Sequence, residues 1–208
     1  MKTSKSVLNR LAHSQNRRDE ELNVALAKGL AAARDKAGLR ELARNLWNED
    51  PEIQSDCIKV LYEVGALEPR LIAGYADDFI KLLGSKNNRL VWGAATALAA
   101  IAEVSAAELF ASWQTLRDAV ESGSVITADN GIKALALLAA TRPARRQAIF
   151  PYLLQHLNTC RPKDVPQRSE KIAAAVDASN QAAFVATLQK RMGDLSTAQA
   201  ARVKKVIK

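Results

Sequence analysis

Cysteine, aromatic residues and long apolar runs are scarce in this chain of 208 residues. Its two cysteines, Cys57 and Cys160, belong to no Cys-x-x-Cys pair, so no disulfide framework is predicted and a reducing compartment is favoured. Cys57 lies among apolar residues at helical spacing, which predicts a buried thiol. No apolar run is long enough to span a membrane, and the basic N-terminus lacks the apolar region of a secretory signal. We therefore expect a cytoplasmic protein.

Groups that carry catalysis or bind metals are also few. The two histidines, His13 and His156, belong to no His-Glu-x-x-His motif. The adjacent acids Asp77 and Asp78 do not face each other on a helix, so they do not form a catalytic pair. Glycine-rich phosphate-binding patterns are absent. The sequence predicts no catalytic residues, no metal site and no cofactor.

Alanine is abundant instead, with 38 residues against nine glycines and six prolines. Because alanine is the best helix former and loses no side-chain entropy on folding, this composition predicts an almost entirely helical chain. It excludes a β-sandwich or β-barrel.

Apolar residues recur with a period of 37 residues. One ladder consists of Val24, Leu61, Leu98, Leu135 and Ile172, and a second consists of Leu42, Phe79, Leu116 and Leu153. The two ladders lie 18 residues apart within each unit, which is enough for two helices and a short turn. Asp50 followed by Pro51 is a typical start of a helix. The sequence therefore predicts repeated helix pairs, each with a first and a second helix.

Two segments resemble a known repeat family. Residues 50–65, DPEIQSDCIKVLYEVG, resemble the first helix of a HEAT repeat, and residues 88–102, NRLVWGAATALAAIA, are similar. The resemblance implies an all-α, right-handed α-α superhelix, a HEAT/armadillo-like solenoid of four to five helix-pair repeats. In that arrangement we expect the first helices on the convex side and the second helices lining the concave side.

The whole chain, 1–208, is predicted to form a single solenoid domain. Residues 1–16 are expected to form an N-terminal cap helix, residues 17–195 the repeats, and residues 196–208 a basic C-terminal tail helix. Nothing in the sequence marks a linker between domains. Stacking of neighbouring units would supply the core, because one helix pair cannot bury its own apolar face.

Positive charge is concentrated at the two ends of the chain, and the net charge is +8. Residues 19–120 carry 11 basic and 16 acidic residues, whereas residues 161–208 carry ten basic and four acidic residues. The candidates for a partner-binding or nucleic-acid-binding cluster are Arg142, Arg145, Arg146, Arg161, Lys163, Arg168 and Lys171. The alternative is that these residues cover a turn and keep the chain soluble.

These features favour a non-catalytic scaffold that binds a macromolecular partner through its concave face and basic C-terminal flank. A protein is the favoured partner. The alternative is a DNA-binding protein related to the HEAT-like alkyl-base DNA glycosylases, whose aromatic and acidic residues support base excision. Residue 96, four positions after Trp92, is Thr and not an acid. Trp47, Trp92 and Trp113 are expected to pack in the core. No membrane partner is expected.

Overall fold

The computed structural model describes residues 6–17 and 19–207, and within these ranges the regular structure is entirely helical. The α-helices are α1 (Glu21–Ala33), α2 (Lys36–Arg44), α3 (Pro51–Leu67), α4 (Ala76–Leu82), α5 (Asn88–Ile101), α6 (Ala106–Ala111), α7 (Trp113–Ser122), α8 (Val125–Ala140), α9 (Pro143–Thr159), α10 (Val165–Ile172), α11 (Gln181–Arg191) and α12 (Thr197–Ile207). No helix of the described chain is long and apolar enough to cross a membrane.

The helices form two rows. The first row consists of α1, α3, α5, α8, α10 and α12, and each of these helices packs directly on the next. The second row consists of α2, α4, the pair α6 and α7, α9 and α11; α2, α4, α7 and α9 pack mainly against the first row, and α11 packs mainly on α9. Both sequence ladders contribute to the core between the rows: Leu61 and Phe79, for example, have no solvent-exposed surface.

The central first helices start in the same way. Asp50, Asn87 and Ser124, each 37 residues after the last, accept hydrogen bonds through their side chains from backbone N–H groups of the first turns of α3, α5 and α8. Such N-caps satisfy donors that lack partners within the helix. The three helices therefore begin at equivalent positions of successive repeats.

Small residues allow the first helices to approach one another closely. Ala94, Ala97 and Ala134 are fully buried. Gly93 of α5 faces Ile58 of α3, and a β-carbon on Gly93 would lie 2.7 Å from Ile58 Cγ1. Carbon atoms in contact normally lie about 3.5–4.0 Å apart, so a larger residue here would force the Ile58 side chain or the helices to shift. The abundance of alanine thus reflects close helix packing as well as helix propensity.

The ends of the chain differ in detail from the predicted helices. In place of a cap helix, the described N-terminal residues form two 3-10 turns, Val7–Arg10 and His13–Gln15; residues 1–5 lie outside the described chain. At the C-terminus, the predicted tail helix is α12, which packs on α10 as the last member of the first row. Its Val203 is fully buried.

Two side-chain predictions are confirmed and one is wrong. Cys57 is fully buried, and burial raises the pKa of its thiol to about 12. Trp92 and Trp113 pack against the core. Trp47, in contrast, is 53% exposed: the 3-10 turn after α2 packs on α3, but Leu46 and not Trp47 is its buried residue.

Candidate functional site: the face of the first helices

The seven basic residues predicted to bind a partner lie in three places. The first group lies at the start of α9 and consists of Arg142, Arg145 and Arg146. The second group follows the other end of α9 and consists of Arg161 and Lys163. Helix α9 has 17 residues and is therefore about 25 Å long. The third group, Arg168 and Lys171, lies on α10.

Arg168 and Lys171 hold α10 against α8. Arg168 Nη1 lies 3.0 Å from Asp129 Oδ1, and Lys171 Nζ donates a hydrogen bond of 3.1 Å to the Asp129 carbonyl. Arg168 is 2% exposed. Burial lowers the pKa of Lys171, against the opposing attraction of Asp129. These two cations stabilise the packing of the helices, and Arg168 presents no surface to a partner.

The other five cations differ in whether they have hydrogen-bond or ion-pair partners within the chain. Arg146 forms an ion pair with Asp177, and Arg161 Nε lies 2.7 Å from Asp164 Oδ2. Arg145 is half-buried and donates a hydrogen bond to a neighbouring threonine. Of these five, the two that are exposed and have no hydrogen-bond or ion-pair partner in the described chain are Arg142 and Lys163.

Three open cavities lie along one surface of the first row, which we call the first-helix face. The largest, of about 670 Å³, lies at the starts of α3 and α5, and Arg17, Glu20, Asp56 and Arg89 line it. A second, of about 460 Å³, lies between α1 and α3. The third, of about 420 Å³, lies over α5 between α3 and α8. The first-helix face therefore has a row of cavities that extends over successive repeats.

A charge network joins three first helices on this face. Lys59 Nζ of α3 lies 2.9 Å from Glu20 Oε2, just before α1, and 2.9 Å from Glu63 Oε1. Arg89 of α5 pairs with the other oxygen of Glu20. The Lys59 side chain is 11% exposed, and burial alone would lower its pKa, but hydrogen bonds to the two glutamates outweigh burial and raise it. Lys59 is therefore charged and firmly positioned.

An aromatic pair lies beside the network. The rings of Tyr62 and Trp92 are tilted with their centroids 5.8 Å apart, and Lys59 Nζ lies 5.0 Å from the Tyr62 ring centroid. This arrangement combines an aromatic contact with a cation-π contact. Thr96 donates a hydrogen bond of 2.8 Å to the Trp92 carbonyl. The residue one turn after Trp92 is therefore a backbone-bonded hydroxyl, and it supplies no carboxylate for base excision.

The third cavity is a groove that follows α5, and we call it the α5 groove. Thr96, Ala99 and Ala100 form part of its lining on α5. Longer side chains on either side form walls, with Glu63 on α3 and Lys133 on α8. The α5 side chains form the bottom of the groove, because they are small where the side chains of both neighbouring helices are long.

The first cavity is formed by an anchored N-terminal segment. Asp56 is 8% exposed and accepts hydrogen bonds from the His13 backbone N–H at 2.8 Å and from Asn23 Nδ2 at 2.7 Å. Asn23 Oδ1 in turn accepts from the Ala12 N–H at 3.0 Å. His13 Nε2 lies 3.3 Å from Asp50 Oδ2. These contacts position the 3-10 turns at the start of the first row.

No protein-family model matches the sequence, and no curated protein does. The designed armadillo repeat protein YIII(Dq)4CqI matches with a TM-score of 0.68 and 16% identity over 96% of this chain and 98% of its own. The designed armadillo repeat protein YIII(Dq.V1)4CPAF, in complex with the peptide (KR)4, matches with a TM-score of 0.68 and 14% identity over 98% of this chain and 100% of its own. Kap121p bound to Pho4p matches with a TM-score of 0.65 and 15% identity over 96% of this chain.

The chain is a HEAT/armadillo-like α-solenoid. The predicted all-α solenoid fold is thereby confirmed. The match covers 22% of Kap121p, so the solenoid corresponds in extent to a part of that protein. At these identities the likeness establishes the fold alone.

Sequence reasoning missed most of the first-helix face. In the 37-residue register, Lys59 and Lys133 occupy equivalent positions, and Thr96 stands between them and interrupts the series of cations. In the solenoid, the same threonine marks the low floor of the α5 groove. The sequence therefore did contain a sign of the α5 groove: long and short side chains alternate at equivalent positions of successive first helices. The ion pairs of Glu20 carried no such signal, because Glu20 and Arg89 are 69 residues apart.

Within the described ranges, no three His, Cys, Asp or Glu side chains are grouped so that they could hold a metal ion.

Proposed function

We propose that the protein is a non-catalytic repeat scaffold that binds a segment of another protein on its first-helix face, with the basic C-terminal flank as a second contact. Two of the similar structures are complexes, one with the peptide (KR)4 and one with Pho4p. The observation that carries the proposal is the alignment of three open cavities, of about 670, 460 and 420 Å³, on one surface of the first row.

We infer that the first-helix face is the concave side of the solenoid. In a curved stack, the helices nearer the centre of curvature must lie closer together than those farther out. The first helices pack continuously on one another, whereas contact between successive second helices is extensive only between α9 and α11. This inference reverses the expectation that the second helices line the concave side.

The character of the face supports binding. Its main charges are held by partners, as Lys59 is by Glu20 and Glu63. A preformed surface loses little conformational entropy when a partner docks, and this favours affinity. Binding also fits the partly accessible ring of Trp92 on this face, since aromatic residues are enriched in interfaces.

The basic flank would act mainly while the partner approaches. The exposed cations without a partner in the described chain near the C-terminal end are Arg142, Lys163, Lys190, Lys204 and Lys205. They are dispersed over the start of α9, α11, α12 and the turn before α10. Dispersed exposed cations accelerate the approach of an acidic partner more than they add to its final affinity.

A site-specific cross-linking experiment tests the proposal. The photoreactive amino acid p-benzoylphenylalanine is introduced at Ala66, an exposed residue that lines the α5 groove, and at Ala111, an exposed residue of α6 in the second row. Both variants are irradiated in cells of the native host. We expect a discrete cross-linked polypeptide from the Ala66 variant and none from the Ala111 variant.

The outcomes separate the two function classes. If the cross-linked species from the Ala66 variant disappears on nuclease treatment, the partner is a nucleic acid and the DNA-binding alternative takes precedence. If both positions cross-link the same polypeptides, or neither cross-links any, the first-helix face is not a specific protein-binding surface and the proposal fails.

A further inference from the structure

The α5 groove carries charge of opposite sign on its two sides. Three charged residues line it: Glu63, Glu103 and Lys133. Glu63 is paired with Lys59 at 2.9 Å. Glu103 and Lys133 are both exposed, and neither has a hydrogen-bond or ion-pair partner in the described chain. The groove therefore leaves one free negative charge and one free positive charge for a ligand.

The two free charges are separated in a defined way. Glu103 follows the end of α5, and Lys133 lies in the middle of α8. In the 37-residue register Glu103 corresponds to residue 140 of α8, which is two turns, or about 10 Å, beyond Lys133. Packed helices lie about 8–10 Å apart. The Cα atoms of Glu103 and Lys133 are then about 14 Å apart, which about four residues of extended chain span at ~3.3 Å per residue.

We propose that the α5 groove binds a bipolar segment of a partner protein, with a lysine or arginine against Glu103 and an aspartate or glutamate against Lys133. Small residues of the segment would lie between the two charges, over Thr96, Ala99 and Ala100. The proposal rests on the proposed function and defines the chemistry of the segment that it requires. A uniformly basic or uniformly acidic segment would place one end beside a charge of its own sign.

The polarity of the groove repeats that of the whole solenoid. Residues 19–120 carry five more acidic than basic residues, whereas residues 161–208 carry six more basic than acidic residues. A bipolar ligand therefore matches the field of the protein at long range as well as the two contacts in the groove. This agreement also fixes orientation: the basic end of the segment points toward α3 and its acidic end toward α10.

Fluorescence anisotropy with three synthetic peptides of equal length tests the proposal. The bipolar peptide carries two lysines and two glutamates separated by four uncharged residues, and the other peptides carry four lysines or four glutamates. At about 50 mM salt, where screening is weak, we expect the bipolar peptide to bind about three- to tenfold more tightly than either control, the range for one or two exposed charge pairs.

Two single variants make the test specific, and both change exposed residues outside the core. Lys133→Glu makes the groove uniformly acidic and should shift the preference to the lysine peptide. Glu103→Lys should shift it to the glutamate peptide. Lys81→Glu, an exposed change on α4 of the second row, is the matched control and should leave the order unchanged.

Each result supports or overturns the proposal. If the wild type binds the lysine peptide, the glutamate peptide or a single-stranded oligonucleotide best, or if it binds none of the probes, the groove does not select a bipolar segment. The same holds if the two groove variants keep the wild-type order of preference. The proposed function is judged independently, because a discrete polypeptide cross-linked from the Ala66 variant would uphold it even where the bipolar peptide fails.

Discussion

The anchoring of the N-terminal segment by Asp56 gives the sharpest prediction about stability. In the Asp56→Ala variant, the His13 N–H and Asn23 Nδ2 lose a carboxylate acceptor at a site that is 8% exposed. Hydrogen bonds to a charged group contribute about 1.5–3 kcal/mol each. For the two bonds together we take the lower end of this range, a total loss of about 3 kcal/mol, which is about a hundredfold in the local opening equilibrium.

Native-state amide hydrogen exchange measures this loss. The amides of Ala12 and His13 should exchange about a hundredfold faster in Asp56→Ala, whereas amides in the middle of α8 should be unaffected, because opening is local. Asp56→Asn keeps one carbonyl acceptor and should give an intermediate effect. Asp77→Ala changes an exposed acid on α4 and should change nothing. If exchange at Ala12 and His13 in Asp56→Ala stays within about threefold of the wild type, the carboxylate does not anchor the segment.

Three further predictions concern packing and ionisation. Gly93→Val should lower the free energy of unfolding by about 1–3 kcal/mol in urea titrations, because the Ile58 side chain already fills the space beside Gly93. Gly193→Val should not lower it, because Gly193 faces open space. Equal effects of the two substitutions would refute the packing argument. Burial lowers the pKa of His156 below its usual value, so the unfolded state binds the proton more readily and stability should fall as the pH drops below about 6.5. His156→Gln should flatten this dependence, and an unchanged pH profile would contradict it. Cys57 should resist iodoacetamide at pH 8 until the protein unfolds, whereas the half-buried Cys160 should react sooner; mass spectrometry after timed quenching distinguishes the two thiols.

Much of the fold could be predicted from the sequence because its determinants are local and periodic. Leu61 and Phe79 recur at a fixed spacing, and Asp50 with Pro51 marks a helix start through chemistry confined to one turn. The two 3-10 turns at the N-terminus could not be predicted in this way. Their conformation depends on Asp56, which lies 43 residues after His13.

The candidate site was less accessible to sequence reasoning. The partners of Arg168 and Lys171 were hidden, because both cations reach Asp129 about 40 residues earlier in the chain. A count of charges cannot distinguish such cations from free ones, so the predicted cluster combined buried and exposed residues. The α5 groove depends on differences in side-chain length between three neighbouring helices. These differences are apparent when the sequences of the first helices are aligned.

The ion pair between Glu20 and Arg89 has a consequence for how the solenoid comes apart. In a repeat array whose units touch only their neighbours, stability is a sum of unit and interface contributions, and the end units can fray one at a time. Glu20 precedes α1 and Arg89 belongs to α5, so this pair passes over α3 and joins units that are not adjacent. Lys59 of α3 binds the same carboxylate. Fraying of α1 from the N-terminal end therefore breaks a contact with α5 as well as the contacts with α3, so the first unit is coupled to the third as well as to its neighbour.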